Sequence, residues 1–220
     1  MDAIEWVKNN GNIHIVNMSI GGPYSEALND AIRNCKDTLF IVAAGNENQP
    51  SLNCSPASCD APNVVTVGSF DGATGKKSNF SNYGYPTAVA APGRNITSSW
   101  IGASDELKTI SGTSMAVPHV TGIAALLKSK YPELTAAEMA TIIKSGSVPD
   151  IHTGWAWLTN GKVDLAKILN KESASQKFIA KKPKAIKKLK SIKRPNIREE
   201  ASVIKKVRNF INRFLRFRWS

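Results

Sequence analysis

An α/β fold, with a three-layer arrangement of a parallel sheet covered by helices on both faces, is the class this sequence predicts. Three observations predict it. The strand-like runs are continuously apolar, as strands buried on both faces are. A helical stripe falls between the first two of them, so the chain reads strand, helix, strand, loop, strand. Glycine or proline closes the apolar runs, marking their ends.

The elements follow in order. Ala3 to Asn9 reads as the end of a helix stopped at Asn10-Gly11. NIHIVNMSI is a short apolar run rich in β-branched residues, hence a buried strand, and it breaks at Gly21-Gly22-Pro23. SEALNDAIRNC places Ala27, Leu28, Ala31 and Ile32 on one helical stripe. TLFIVAA is a second apolar strand and ends at Gly45-Asn46. A polar loop from Glu47 to Asn63 follows, then a third strand, NVVTVGSF, with a turn at Asp71-Gly72. TAVAAPG is a fourth strand, closed by Pro92-Gly93. A long helix runs from Ser114 to about Lys130, with Pro132 just beyond it. Thr135 with Glu138 three residues later is a capping box that opens another helix. Sites in such sheets gather at the carboxyl ends of the strands. Gly21-Gly22, Gly45-Asn46 and Pro92-Gly93 all sit at such ends, on one rim that Ser114 can join.

Composition narrows the classes. The chain has 220 residues, enough for one domain with a core. No run approaches the roughly 18 apolar residues of a membrane span, and MDAIEWVKNNGN has neither the basic start nor the apolar stretch of a signal peptide. The net charge of +12 is unevenly spread: 17 of the 29 Lys+Arg and 3 of the 17 Asp+Glu lie beyond Asn170, leaving about +14 there and about −2 in the first 170 residues. The high pI therefore does not make the body a nucleic-acid binder. Cys54 and Cys59 could close a small loop, leaving Cys35 free. Three cysteines with no histidine nearby form neither a disulfide framework nor a zinc ligand set.

The organisation expected is a body over 1–170, a basic Lys-rich linker over 171–199 and a basic amphipathic helix over 200–220. In that last segment Val203, Ile204, Val207, Phe210, Ile211, Phe214 and Leu215 follow helical spacing among Lys and Arg. The partner such a tail suits is an anionic membrane surface, a partner groove or nucleic acid.

Chemistry centres on ISGTSMAVPHVTG, residues 110–122. Ser114 stands at a helix start, where the dipole and free backbone N–H groups favour an anionic intermediate. GTSMAVPH at 112–119, VAAGNENQ at 42–49, VNMSIGG at 16–22 and SNFSNYG at 78–84 together resemble the subtilisin-like serine proteases, the subtilases. TSSWIGASDELKTISGTSMAVPHVTG is most similar to the proteinase K-like branch. The resemblance covers roughly Ala3 to Leu169 and corresponds to the C-terminal part of the catalytic domain, so the fold it implies is a subtilisin-like one lacking its N-terminal part. It implies that Ser114 is the nucleophile and that Asn46 donates its side-chain amide to the oxyanion. Ser19, Ile20, Gly21 and Gly22 would pair with an extended substrate as an added strand. Ala43, Ala44 and Gly45 would line the primary specificity pocket, and their small size suggests room for large apolar side chains.

In this family the triad runs Asp, His, Ser along the chain. The D-[ST]-G and H-G-[TS] motifs that carry the acid and the base are absent here. Asp37-Thr38-Leu39 is nearest to the first, yet it opens a strand instead of closing one. Of the three histidines, His119 lies about 140° around the helix from Ser114, His14 begins a strand at the end away from the rim, and His152 sits in a distant loop. None is placed as a base. Family members commonly hold a structural calcium, but a usual carboxylate position falls on Ala88, leaving only backbone carbonyls around Pro62 and Val64. No cofactor is expected. The expected function is therefore a serine-type endopeptidase acting through an acyl-enzyme on Ser114, inactive as this chain alone. The partner is a polypeptide substrate, if an N-terminal part completes the site. The alternative is a non-catalytic pseudoprotease fragment that acts by binding. The family resemblance places such a protein outside the cell.

Overall fold

The computed structural model describes residues 2–102, 105–149 and 157–170. The expected linker, the basic amphipathic helix and His152 lie outside the described residues.

The chain opens with α1 (Asp2–Asn9), then β1 (Ile15–Met18), β2 (Gly22–Pro23), α2 (Glu26–Arg33), β3 (Leu39–Ala43), a 3-10 turn (Ser51–Asn53), β4 (Cys54–Ser55), β5 (Val64–Phe70) and β6 (Thr87–Pro92). It continues with β7 (Ile96–Ser99), β8 (Leu107–Ile110), α3 (Thr113–Lys130), α4 (Ala136–Gly146), β9 (Gly161–Lys162) and α5 (Leu165–Asn170). The main sheet has the order β1-β3-β5-β6-β9, and every neighbouring pair is parallel. This is the parallel α/β sheet that the apolar runs predict.

The continuous run in β3 has a direct cause. Leu39, Ile41 and Ala43 face a core shared with Val65, Val67 and Val89, packed against Val117, Val120 and Leu127 of α3 and Met139 and Ile143 of α4. Phe40 and Val42 face the opposite core, with Val64, Ile4 of α1 and Ile32 of α2. Both sides of the strand are dry, so neither parity can be polar. The helix starts also behave as their sequences dictate. Ser25 caps α2 by accepting from Leu28 N. Thr135 and Glu138 form both halves of the capping box on α4.

Residues 97–109 fall in a compact unit separate from the rest of the described residues. Within it β7 and β8 pair as a two-stranded sheet, the Thr97 and Thr109 hydroxyls meet at 2.7 Å, and Lys108 Nζ lies 4.2 Å from the Trp100 ring centre.

Two features differ from the sequence reading. The two-residue strands β2, β4 and β9 were not foreseen, because two residues carry no period. The polar stretch from Glu47 to Asn63 is also no solvated loop: Ser51, Cys54 to Cys59, Ala61 and Asn63 are buried. Asn63 Nδ2 reaches the carbonyls of Ile32, Cys35 and Thr38 at 3.3, 2.9 and 3.1 Å, tying this stretch to the end of α2 and the start of β3. Cys35, Cys54 and Cys59 are all free thiols, so the Cys54–Cys59 loop is not closed.

Candidate active site

Three strand ends and one helix start build the site. β1 delivers Ser19 to Gly22, β3 delivers Ala43 to Gln49, and the Gly112 turn delivers Ser114. The short pair β2–β4 sets Gly22 against Ser55 and Pro23 against Cys54, bringing the first of these walls to the end of the second. Between them lies a cleft of about 500 Å³. Ser19, Ile20, Gly21, Gly22, Ala43, Ala44, Gly45, Asn46 and Ser114, the site residues singled out in the sequence, all line it. The residues that sequence reasoning missed are Pro23, Glu47, Gln49, Asn53, Cys54 and Thr113. Five of these, all but Pro23, are polar or carry a thiol. The cleft lining as a whole is thus more polar than Ala43 to Gly45 alone suggest. GNENQ could have flagged Glu47 and Gln49. Cys54 had no local signal, because it arrives through the β2–β4 pairing.

Ser114 is half-buried, and its hydroxyl donates to the Ser19 carbonyl at 3.1 Å. The return bond has a cause in the sequence. Pro118 sits inside α3, and a proline there has no N–H for the carbonyl four residues back, which is that of Ser114. Ser19 Oγ fills the gap, donating to Ser114 O at 2.9 Å. Asn17 Nδ2 in turn donates to Ser19 Oγ at 2.8 Å. The end of β1 is thus locked to the first turn of α3 through the residue expected to be the nucleophile.

The helix start has no cap of its own: Gly112 is the N-cap and the first turn carries no acidic residue. Asn46 supplies the cap from another element. Its Oδ1 accepts from Thr113 N at 2.8 Å and from Thr113 Oγ1 at 3.0 Å. A backbone N–H can only donate, so Oδ1 is assigned to this side and Nδ2 is left facing away as a free donor. A Cβ built on Gly112 would lie 3.7 Å from both Asn46 Nδ2 and Ser114 N. Ser114 N accordingly shares this space with the Asn46 amide, and it makes no hydrogen bond of its own among the described residues. Asn46 Nδ2 and Ser114 N thus both lie near Gly112, at the positive end of an 18-residue helix.

Gly93 brings the end of β6 to the same place. Gly112 N donates to Gly93 O at 2.8 Å, and a Cβ on Gly93 would sit 2.4 Å from Ser69 Oγ and 2.7 Å from Gly112 O. Cys54 is buried in the cleft wall, with Gln49 Nε2 and Asn82 Nδ2 donating to its sulfur at 3.3 and 3.6 Å. Burial, and after it the nearby Glu47 carboxylate, push this thiol above the usual cysteine range.

No histidine joins the cluster among the described residues. The His119 ring is exposed and held by Met115 O at 2.9 Å through Nδ1. His14 is exposed at the start of β1, with its carbonyl accepting from Leu39 N. Asp37 precedes β3 at the end away from the rim, and Thr38 Oγ1 there donates to Ile13 O at 2.7 Å. Ala88, at the usual calcium carboxylate position, is buried in the core under α3 and α4. The described residues contain no group of three or more His, Cys, Asp or Glu that could hold a metal ion.

Residues 1–175 match the model of the Subtilase family. A cuticle-degrading serine protease of Arthrobotrys oligospora is 50% identical over 130 residues, covering 57% of this chain and 31% of that protein. An extracellular serine proteinase of a Thermus species is 40% identical over 152 residues, covering 68% of this chain and 36% of that protein. The crystal structure of a cold adapted subtilisin-like serine proteinase superposes with a TM-score of 0.64 at 36% identity, over 74% of this chain and 57% of that one. The chain thus spans about a third of the length of these two curated relatives.

Proposed function

The chain belongs to the Subtilase family, and from that premise we propose that it is the nucleophile-bearing part of a serine endopeptidase whose acid and base lie outside these 220 residues. Ser114 Oγ attacks the scissile carbonyl of a polypeptide laid along Ser19 to Gly22. As the carbonyl oxygen becomes an oxyanion, Asn46 Nδ2 and Ser114 N–H donate to it. Donors already in place at that position cost no reorganisation when the charge develops. Collapse releases the amine and leaves an acyl-enzyme on Ser114, which water hydrolyses. Both steps need a base to take the proton, and later an acid to return it. No described residue is in place to do either. On this reading the chain alone is inactive.

The observation that carries this reading is that Asn46 Nδ2 and Ser114 N each lie 3.7 Å from the Cβ position of Gly112, with Asn46 and Ser114 lining one cleft. The test is complementation. The purified chain is mixed with the N-terminal part of a relative's catalytic domain, carrying the Asp and His motifs, and hydrolysis of an unfolded polypeptide is followed. Hydrolysis is expected only in the mixture, and Ser114→Ala should reduce it by about 10⁶-fold, as loss of one triad member does. Hydrolysis that survives Ser114→Ala contradicts the assignment.

A second reading is favoured by one observation: the Ser114 hydroxyl is engaged by the Ser19 carbonyl. A chain that never meets a base would keep the cleft as a non-catalytic peptide-binding groove. Retention of an extended peptide by Ser114→Ala, with no complementation by any N-terminal part, supports that reading over the first. The name of the Thermus relative places that protein outside the cell, and the same compartment is proposed here.

A further inference from the structure

The segment SNFSNYG, residues 78–84, has no part in the chemistry above, yet Ser78, Ser81 and Asn82 are completely buried. Its first half is rooted in β5: Ser81 Oγ accepts from Ser69 N at 2.9 Å, and the Ser69 and Ser78 hydroxyls meet at 2.8 Å. Its second half runs beside the loop that carries Asn46. Asn48 N donates to Phe80 O at 2.8 Å, Asn82 N to Gly45 O at 3.0 Å and Tyr83 N to Gln49 O at 3.1 Å.

The Asn82 side chain does the rest. Its Oδ1 accepts from Glu47 N and Gln49 N, both at 3.0 Å. Its Nδ2 donates to Ala44 O at 2.9 Å and to Glu47 Oε2 at 2.8 Å, with Cys54 Sγ at 3.6 Å. Every donor and acceptor of the carboxamide is used. The orientation is determined, because Oδ1 faces two backbone N–H groups. Glu47 Oε2, so held, also accepts from Asn46 N at 2.9 Å. Gly45 is shaped around the same amide: its φ is +105°, and a Cβ there would stand 2.2 Å from Asn82 Nδ2.

The geometry points to Asn82 as the positioning residue that holds the 44–49 loop, and with it the Asn46 amide, against the start of α3. A loop beyond a strand end has no ladder partner for its N–H groups, and a buried carboxamide with both polarities serves as one. Asn82 is not among the residues that line the cleft, and its side chain ends on Ala44, Glu47, Gln49 and Cys54. It acts through Asn46, whose Oδ1 reaches Thr113. Its catalytic meaning rests on the reading of Asn46 as the oxyanion donor, but the positioning itself is measurable without any activity.

The test is residue-resolved amide hydrogen exchange on the full chain. Thr113 N–H reports the Asn46 contact, Glu47 and Gln49 N–H report the loop, and Val42 and Val65 report the sheet. In Asn82→Ala the protection of Thr113, Glu47 and Gln49 is expected to fall about tenfold or more, with Val42 and Val65 unchanged. Asn82→Asp keeps the shape but sets a carboxylate against Ala44 O and the Glu47 carboxylate. Its protection should be lost at neutral pH and recover as pH falls through about 4–6, when the acid is protonated and donates again. The wild-type chain should show no such pH step. Unchanged protection in Asn82→Ala, an equal loss at all five amides, or no acid recovery in Asn82→Asp each overturns the proposal. Should Asn82→Ala fail to fold, the acid and neutral measurements on Asn82→Asp decide alone. Failed complementation with these results intact would refute the enzymatic reading and leave the positioning role standing.

Discussion

Ser114 and Asn46 are useful together because a backbone donor settles how the Asn46 amide lies. Thr113 N takes its Oδ1, and Nδ2 is what remains for an oxyanion. In a complemented enzyme, Asn46→Ala should lower kcat by about 10²–10³ with little change in KM, the size of one oxyanion donor in a subtilisin. Cys54 gives a second prediction at this scale. Its pKa is raised by burial first and by Glu47 second, while burial mainly pushes Cys59 up to about 11. The thiolate is the reactive form, so alkylation of Cys54 should be slow at neutral pH and accelerate as pH rises beyond the usual thiol range. Glu47→Gln removes one of the causes and should speed alkylation of Cys54 at a fixed pH while leaving Cys59 unchanged, as read by peptide mass mapping of each cysteine. Ser114 and Asn46 were legible in the sequence because each sits in a local motif. Cys54 and Asn82 were not: Cys54 reaches the cleft through the pairing of β4 with Pro23, and the side-chain partners of Asn82 lie 28 to 38 residues away in the chain.

The long elements were legible and the short ones were not, for the same physical reason. A strand buried on both faces leaves an apolar run, as β3 and β5 do, and a capped helix leaves Thr135 and Glu138 at a fixed spacing. The pairs β2–β4 and β6–β9 involve two residues a side and exist only through their partners. Yet β2–β4 is what joins the cleft walls. Backbone shape at the end of β3 carries the prediction at this scale. Gly45→Ala must force a Cβ into the Asn82 amide and the Glu47 carboxylate, 2.2 and 2.7 Å away, at a φ of +105°. The expected cost is about 2–4 kcal/mol in denaturant unfolding. Thr135→Ala, which removes only a cap on α4, should cost about 1 kcal/mol. Equal losses in the two variants would contradict this account of the β3 end.

For the molecule as a whole, β1 is the edge of the main sheet. Its carbonyl at His14 faces β3, so in the alternation of a parallel ladder the backbone groups of Ile15 and Asn17 point to the open side. On the proposed reading, in which no described residue serves as the base, this open edge is where a further strand would add. The parallel sheet could be read from the chain, because its strands are buried on both faces and leave continuous apolar runs. The central claim is that Ser114 is a nucleophile without its base. Labelling of the purified chain by a fluorophosphonate probe, compared with Ser114→Ala, tests it most directly. Labelling no greater than that of Ser114→Ala is predicted for the chain alone, and stoichiometric labelling that Ser114→Ala abolishes would contradict it.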